Sequence, residues 1–425
     1  MCSPETTARA VRVPSGVRMR DPPSHGLAVP PRDPPASFVP LRLILLLAAG
    51  HVSFGGARLA ISLQALQLHA SALTVGLLMS LLMLVPAFIC IHVGRWVDRA
   101  GYLRPTWMAL GGVALGNAVA ALLPSLAGLA LASVLVGTSF MFAHVAVNNA
   151  IGHVAGVQGR TRAFGLMAVG FSISALVGPL VAGSGIDRIG FRATFVLLGL
   201  VPVAVAPLLL QAPRIAREPG APAPANGGVF ELLRLPALRT VLLVSALISS
   251  GWDLFTFLVP LHGKHIGLSA TAIGVVAGAF GVGSAAVRVA LPWIIRRVGE
   301  WKLLGSALLL TAVGYFLFPF CTSVGTMLPL AVALGMVLGC GQPLVMSLVH
   351  VVAPPSRTGE AVGLRSAITS FGQTVLPLAC GAFGAALGLL PLFWLVAGLL
   401  GCGGGYAVTR RRQPLGLPAS REARA

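Results

Sequence analysis

Asp253 is the only acid deep inside any long apolar stretch of this chain, and Arg58 lies deep inside another. Burying charge among apolar residues is costly unless the charge is paired. Burial favours a neutral carboxyl, whereas a neighbouring guanidinium favours the carboxylate. An acid moved between those surroundings therefore takes up and releases a proton. His51 precedes Arg58 by seven residues and shares its helix face. His144 and Asn148 are an i,i+4 pair, Gln342, Met346 and His350 follow at i+4 steps, and Ser249, Trp252 and Thr256 flank Asp253. Such a set can move a proton and hydrogen-bond a small molecule. A plainer reading stays open: Arg58 and Asp253 neutralise each other structurally, while His51 and Trp252 pack. No P-loop, no Ser/His/Asp arrangement and no cluster with metal-ligand spacing is found, so neither an enzyme, a metal nor a cofactor is expected. Six cysteines stand singly, which indicates no disulfide framework.

The elements that must position these groups are helices long enough to cross a bilayer. The chain has 425 residues, 56% hydrophobic and only 10% charged, with mean hydropathy +0.89. Soluble domains carry about 25% charged residues. An all-α integral membrane protein is therefore expected. Twelve apolar spans lie near 42–66, 72–93, 105–124, 127–151, 164–186, 192–211, 239–262, 270–292, 303–321, 326–350, 362–386 and 390–408. Each approaches the roughly 20 residues that a hydrocarbon core requires, and none alternates as a barrel strand does.

The net charge of +19 is unevenly placed. With both termini on one side, the opposite side holds Arg188, Arg192 and Lys264, and Arg58, Arg288 and Arg365 fall inside spans. The remaining basic residues gather in the tails, the middle loop and the turns on the terminus side. This asymmetry places both termini in the cytoplasm and explains the basic balance without nucleic acid. Arg288 and Arg365 lie towards cytoplasmic helix ends, where long side chains snorkel. Residues 1–40 read as a disordered, Pro-rich cytoplasmic tail, 212–238 as a cytoplasmic linker and 409–425 as a basic cytoplasmic tail. Between them lie two six-helix halves, 41–211 and 239–408.

The halves repeat. At one ungapped offset of 198 residues, Gly76, Gly101, Gly137, Gly165, Pro179, Gly183 and Gly190 fall on Gly274, Gly299, Gly335, Gly363, Pro377, Gly381 and Gly388. Six-helix halves in parallel, with a site between them near the bilayer midplane, are the plan of a secondary transporter. Between spans two and three stands "GRWVDRAGYLRP" (94–105). It resembles the loop signature of the major facilitator superfamily, G-x-x-x-D-R-x-G-x-R/K-R/K, through Gly94, Asp98, Arg99, Gly101 and Arg104; Leu103 departs from it. Gly94 suits close helix approach, and Asp98 suits the positive end of another helix. The resemblance implies that Asp98 docks near the start of the eleventh span, beside Arg365, and latches the halves in an outward-facing state. The second-half copy puts Arg296 where Asp98 would be.

Span five, "GLMAVGFSISALVGPLVAG", is similar to the family's antiporter signature at Gly165, Gly178, Pro179 and Gly183, with Ser174 and Ala182 in place of two glycines. That pattern leans towards export, whereas Ser133 stands where many proton-driven drug exporters of the family carry arginine. The resemblance also implies that spans one, four, seven and ten line the cavity. That would make His51, Arg58, His144, Asn148, Trp252, Asp253, Gln342 and His350 the substrate and coupling groups.

The expectation is a monomeric, proton-coupled transporter of a small molecule, with an organic anion suited to the cavity, in a bacterial inner membrane. Arginine far exceeds lysine, and Ala, Gly and Pro abound, as in a GC-rich bacterial genome. Uptake of an organic anion, or a transporter-like sensor or assembly protein, are the alternatives. Residues 1–38 are expected to be dispensable, with Met19 a candidate start. Deleting 1–38 should leave membrane insertion unchanged in a fractionation assay, and loss of insertion would refute this.

Overall fold

The caps that start and stop the helices recur at the repeat offset. The computed structural model describes residues 38–154, 156–210, 229–354 and 357–410. Its helices are α1 (Phe38–Gln67), α2 (Ala72–Ala100), α3 (Leu103–Leu122), α4 (Leu126–Val154), α5 (Gly156–Val205), α6 (Pro207–Leu210) and α7 (Pro236–His265). They continue as α8 (Ala270–Val298), α9 (Glu300–Leu317), α10 (Val324–Gly339), α11 (Gly341–Val352), α12 (Thr358–Leu387) and α13 (Leu389–Arg410). Ser71 opens α2 by accepting from the Thr74 amide at 3.3 Å, and Ser269 opens α8 by accepting from Ala272 at 3.2 Å. A hydroxyl at this position satisfies an otherwise orphaned amide. Gly101 and Gly299 close the same helices at φ +74° and +81°, a conformation glycine adopts at little cost.

Eleven stretches among the described residues are long and apolar enough to cross a membrane. One of them, Ala163–Leu210, has 48 residues. At 1.5 Å per residue it would be about 72 Å long, more than twice a hydrocarbon core of about 30 Å. Helical geometry breaks inside it at Gly190 (φ +80°), so α5 holds two crossings. Counted so, the described residues hold twelve crossings, as the sequence implies. The tenth crossing, Val324–Val352, is α10 followed by α11. Residues 1–37, 211–228 and 411–425 lie outside the described residues; of the expected tails and linker, 38–40 belong to α1, 229–238 to a short helical turn and the start of α7, and 409–410 to α13.

Packing within the halves follows the repeat. α2 lies on α4 and α8 on α10. Gly137 meets the Leu82 carbonyl and Gly335 meets the Phe280 carbonyl, so closely that a Cβ at either glycine would overlap the oxygen. The residues on both sides of the two contacts are 198 apart.

Between the halves α5 packs on α8, α2 on α12 and α1 on α7. Here too the contacts are paired. Gly76 meets the Pro377 carbonyl, and Gly274 meets that of Pro179, where a Cβ would lie 2.5 Å from the oxygen. Gly183 meets the Ala270 carbonyl, and a Cβ on Gly381 would lie 2.6 Å from that of Ala72. Small residues let backbones approach this closely. All four contacts lie towards the membrane side opposite the chain termini. Two expectations are corrected. A Cβ at Gly94 or at Gly165 would meet nothing within 4 Å, so neither glycine is a packing notch. Both lie towards the terminus side, where no neighbouring helix crowds them.

One charged contact on that side is not repeated. Asp187, on the side away from the termini, accepts hydrogen bonds from the amides of Ala270 at 3.2 Å and Thr271 at 2.7 Å. These are orphan donors of the first turn of α8, where a carboxylate is favoured. The matching position in the other half is Ala385, so only one of the two closures carries a charge.

Two outcomes follow from this packing. Gly137→Val should lower the thermal midpoint of purified protein by several degrees, because overpacking costs about 1–3 kcal/mol. Gly165→Val, with open space, should change it little, and equal effects would contradict the assignment. Asp187→Ala should speed hydrogen exchange of the Ala270 and Thr271 amides at least tenfold, read by mass spectrometry of the α8 start. Unchanged exchange would show that the carboxylate does not hold them.

Candidate functional site

Arg58 on α1 reaches across to Asp253 on α7. Nη1 lies 3.3 Å from Oδ1, and Nη2 donates to the Asp253 backbone oxygen at 3.4 Å. Both residues are buried, 9% and 3% exposed, so water screens the pair little. Thr256 donates to the same Asp253 oxygen at 2.8 Å. The pair is incompletely satisfied: Arg58 Nε and Asp253 Oδ2 have no hydrogen-bond partner. Gln373 of α12 and Tyr315 of α9 lie near the carboxylate, and the Tyr315 hydroxyl donates to the Gly251 carbonyl. Removing one partner of a buried pair strands the other charge, which costs about 3–5 kcal/mol. The expected pairing of these two residues across the halves is therefore formed.

Two turns from Arg58 towards the terminus side, His51 sits among rings. Its centroid is 4.8 Å from Phe171, 5.4 Å from Phe140 and 6.1 Å from Phe54. His144 is 5.7 Å from Phe171 and 6.1 Å from Phe140. The structure thus gathers His51 and His144 in one aromatic cluster built from α1, α4 and α5. His51 Nδ1 is buried without a partner. Asn148 is turned back on its own helix, donating to the His144 carbonyl at 2.6 Å. Gln342 and His350 are exposed and take no part in the cluster. Pseudo-symmetry with His144 places Gln342 in the other half, on α11.

Span five ties the cluster to both neighbours. Gly178 faces the Val52 carbonyl of α1, where a Cβ would lie 2.7 Å away. Ser174, one of the departures from the signature, donates to the Ala48 carbonyl of α1 at 2.8 Å. Pro179 and Gly183 face α8 instead. Ser133 is buried with its hydroxyl unpartnered.

Two arginines depart from expectation. Arg288 of α8 does not snorkel to a helix end. Its Nη1 donates to the Ala168 carbonyl at 2.6 Å and to Ser172 Oγ at 2.8 Å on α5, its Nε reaches the Gly339 carbonyl at 3.5 Å, and its guanidinium lies 6.0 Å from the Trp252 ring centroid. Trp252 packs edge-on against Phe280 at 4.6 Å. Arg365 donates to Ser245 Oγ at 2.9 Å and lies 3.5 Å from Met346 Sδ, so it is engaged by α7 and α11. The side chain of Asp98 lies outside the described residues, while Arg99 and Arg104 are exposed. Sequence reasoning passed over Asp187 and Ser172, and treated Arg288 as peripheral. The available signal for the last was Ser172 itself, one of two hydroxyls, with Ser174, in that part of span five.

A family model described as Major Facilitator Superfamily matches residues 43–324 and 241–425. An MFS-type efflux pump of Mycolicibacterium smegmatis is 31% identical over 134 residues, which cover 29% of this chain and 31% of that protein, so the match spans about a third of the relative. Among solved structures, a bacterial homologue of the human lysosomal transporter Spinster, inward-facing and occupied, aligns with TM-score 0.74 at 15% identity, over 91% of this chain and 100% of that one. A mutant of the nucleoside transporter NupG aligns with TM-score 0.71 at 14% identity, over 87% of this chain and 99% of that one. At such identities these neighbours speak for the fold. The twelve crossings, the repeated halves and the family match together identify the chain as a multi-pass membrane transporter, not an enzyme, that belongs to the major facilitator superfamily.

Proposed function

We propose that this chain is a proton-coupled secondary transporter that moves a small solute by alternating access. The observation that carries the reading is the buried Arg58–Asp253 pair, which joins the halves. In the state described, the halves meet on the side away from the termini, and the pair is closed. When the halves rock apart there, Asp253 leaves Arg58, sits among Tyr315 and Gln373, and takes up a proton. On re-closure the guanidinium favours the carboxylate, and the proton leaves towards the terminus side. Solute and proton then compete through the same equilibrium, which is coupling by differential affinity.

With both termini cytoplasmic in a bacterial inner membrane, the described state faces inward. Asp98 at the α12 start would hold the opposite state, and Asp187 at the α8 start holds this one. Export is favoured by the fifth-span pattern and by the relative named as an efflux pump. The chain acts as a monomer in this reading.

In proteoliposomes, Asp253→Asn should abolish accumulation driven by a pH gradient while leaving solute exchange intact. Arg58→Gln should lose both coupling and, by roughly 3–5 kcal/mol of stranded charge, stability. A double Arg58→Gln, Asp253→Asn protein that still accumulates solute against a gradient would show the pair to be purely structural.

A further inference from the structure

The interior charges do not cancel. Arg58 is answered by Asp253, but Arg288 has only neutral partners: two carbonyls, one hydroxyl and the face of Trp252. No hydrogen bond reaches its Nη2 among the described residues, and the residue is half-buried. A guanidinium within a membrane protein that lacks an anion is costly, and such residues mark substrate pathways. The surroundings describe the missing anion. Ser172 of α5 offers a hydroxyl beside Nη1. Trp252 of α7 supplies an aromatic face on the same guanidinium. Phe171, next to Ser172 in the chain, leads into the His51 and His144 ring cluster. Phe171 and Trp252 are half-buried at the edge of the core.

We propose that Arg288 is the anion seat of the substrate site, and that the transported class is an aromatic monocarboxylate or a similarly flat apolar monoanion. The inference rests on the transporter reading above and adds the substrate class. A carboxylate on Nη2 makes a charge-assisted bond, stronger than the neutral contacts it supplements. The ring of the same molecule lies against Trp252 and Phe171, where offset or edge-on aromatic contacts add specificity. Arg365 is the weaker candidate, because Ser245 and the Met346 thioether surround it without an aromatic wall. Arg58 is excluded by its own counter-ion.

Three probes share one ring and differ in charge: 1-naphthoate, 1-naphthalenemethanol and 1-naphthylmethylammonium. Their binding to the full chain in nanodiscs, corrected with empty nanodiscs, is read by equilibrium dialysis. Naphthoate should bind at least tenfold more tightly than the alcohol or the ammonium. Arg288→Gln should erase that preference, and Arg288→Lys, which keeps the charge and guards against a glutamine variant that does not fold, should retain it. The proposal is overturned if naphthoate does not bind, if the alcohol or ammonium binds equally well, if Arg288→Gln keeps the preference, or if Arg288→Lys loses it. Because no gradient is present, these failures would leave the coupling reading standing, whereas failure of pH-driven flux with intact naphthoate binding would count against coupling alone.

Discussion

The architecture turns on one ion pair that hydrocarbon would not otherwise tolerate. Arg58 and Asp253 are each buried and each within reach of the other only because α1 and α7 come together at that depth. Separating the halves at that depth without a replacement partner would strand two charges. In the proposed function, protonation of Asp253 removes one of them and so links the position of the helices to the proton. The unpartnered Oδ2 and Nε atoms indicate that the pair is not tuned for maximal stability. A fully satisfied network would hold the halves more firmly. A bistable protein is better served by a contact worth only a few kcal/mol more in one state than in the other.

Around that pair, glycine sets where the halves touch. The Gly76, Gly183, Gly274 and Gly381 contacts are backbone to backbone, with no side chain between, so they form and separate without rotamer changes. Their pairing at a fixed offset makes the closure nearly symmetric. Charge breaks the symmetry. Asp187 holds the start of α8, while the equivalent closure at the start of α2 has Ala385. Symmetric packing gives a paired interface, and the Asp187 contact is present at one closure only.

Much of this was legible in the sequence. Long apolar runs marked the crossings, because only helices and closed barrels satisfy backbone groups in lipid. The glycine and proline offset exposed the repeat, but not which backbones would meet. Asp253 and Arg58 stood out because isolated charge in a greasy span has few explanations. What could not be read was direction. Helical spacing places Arg288 and Arg365 towards helix ends but does not say that Arg288 turns inward to α5, nor that Arg365 is taken by Ser245. Asn148, Gln342 and His350 had the right spacing on the right helices. Asn148 donates to its own helix, and Gln342 and His350 are exposed. Gly94 and Gly165 matched a pattern without meeting a neighbour. A motif reports ancestry at each position, whereas a contact depends on the state the molecule occupies.

The central claim is that closure on the side away from the termini is linked to the charge on Asp253. It is tested most directly by a distance measured across that side as pH is varied. Spin labels at Leu68 and Lys264, exposed residues at the ends of α1 and α7, report the separation by pulsed dipolar spectroscopy. The account predicts that a longer-distance population grows as pH falls, and that Asp253→Asn shows the longer distance at every pH. A wild-type distance distribution that does not change with pH, or an Asp253→Asn protein that remains closed, would contradict it.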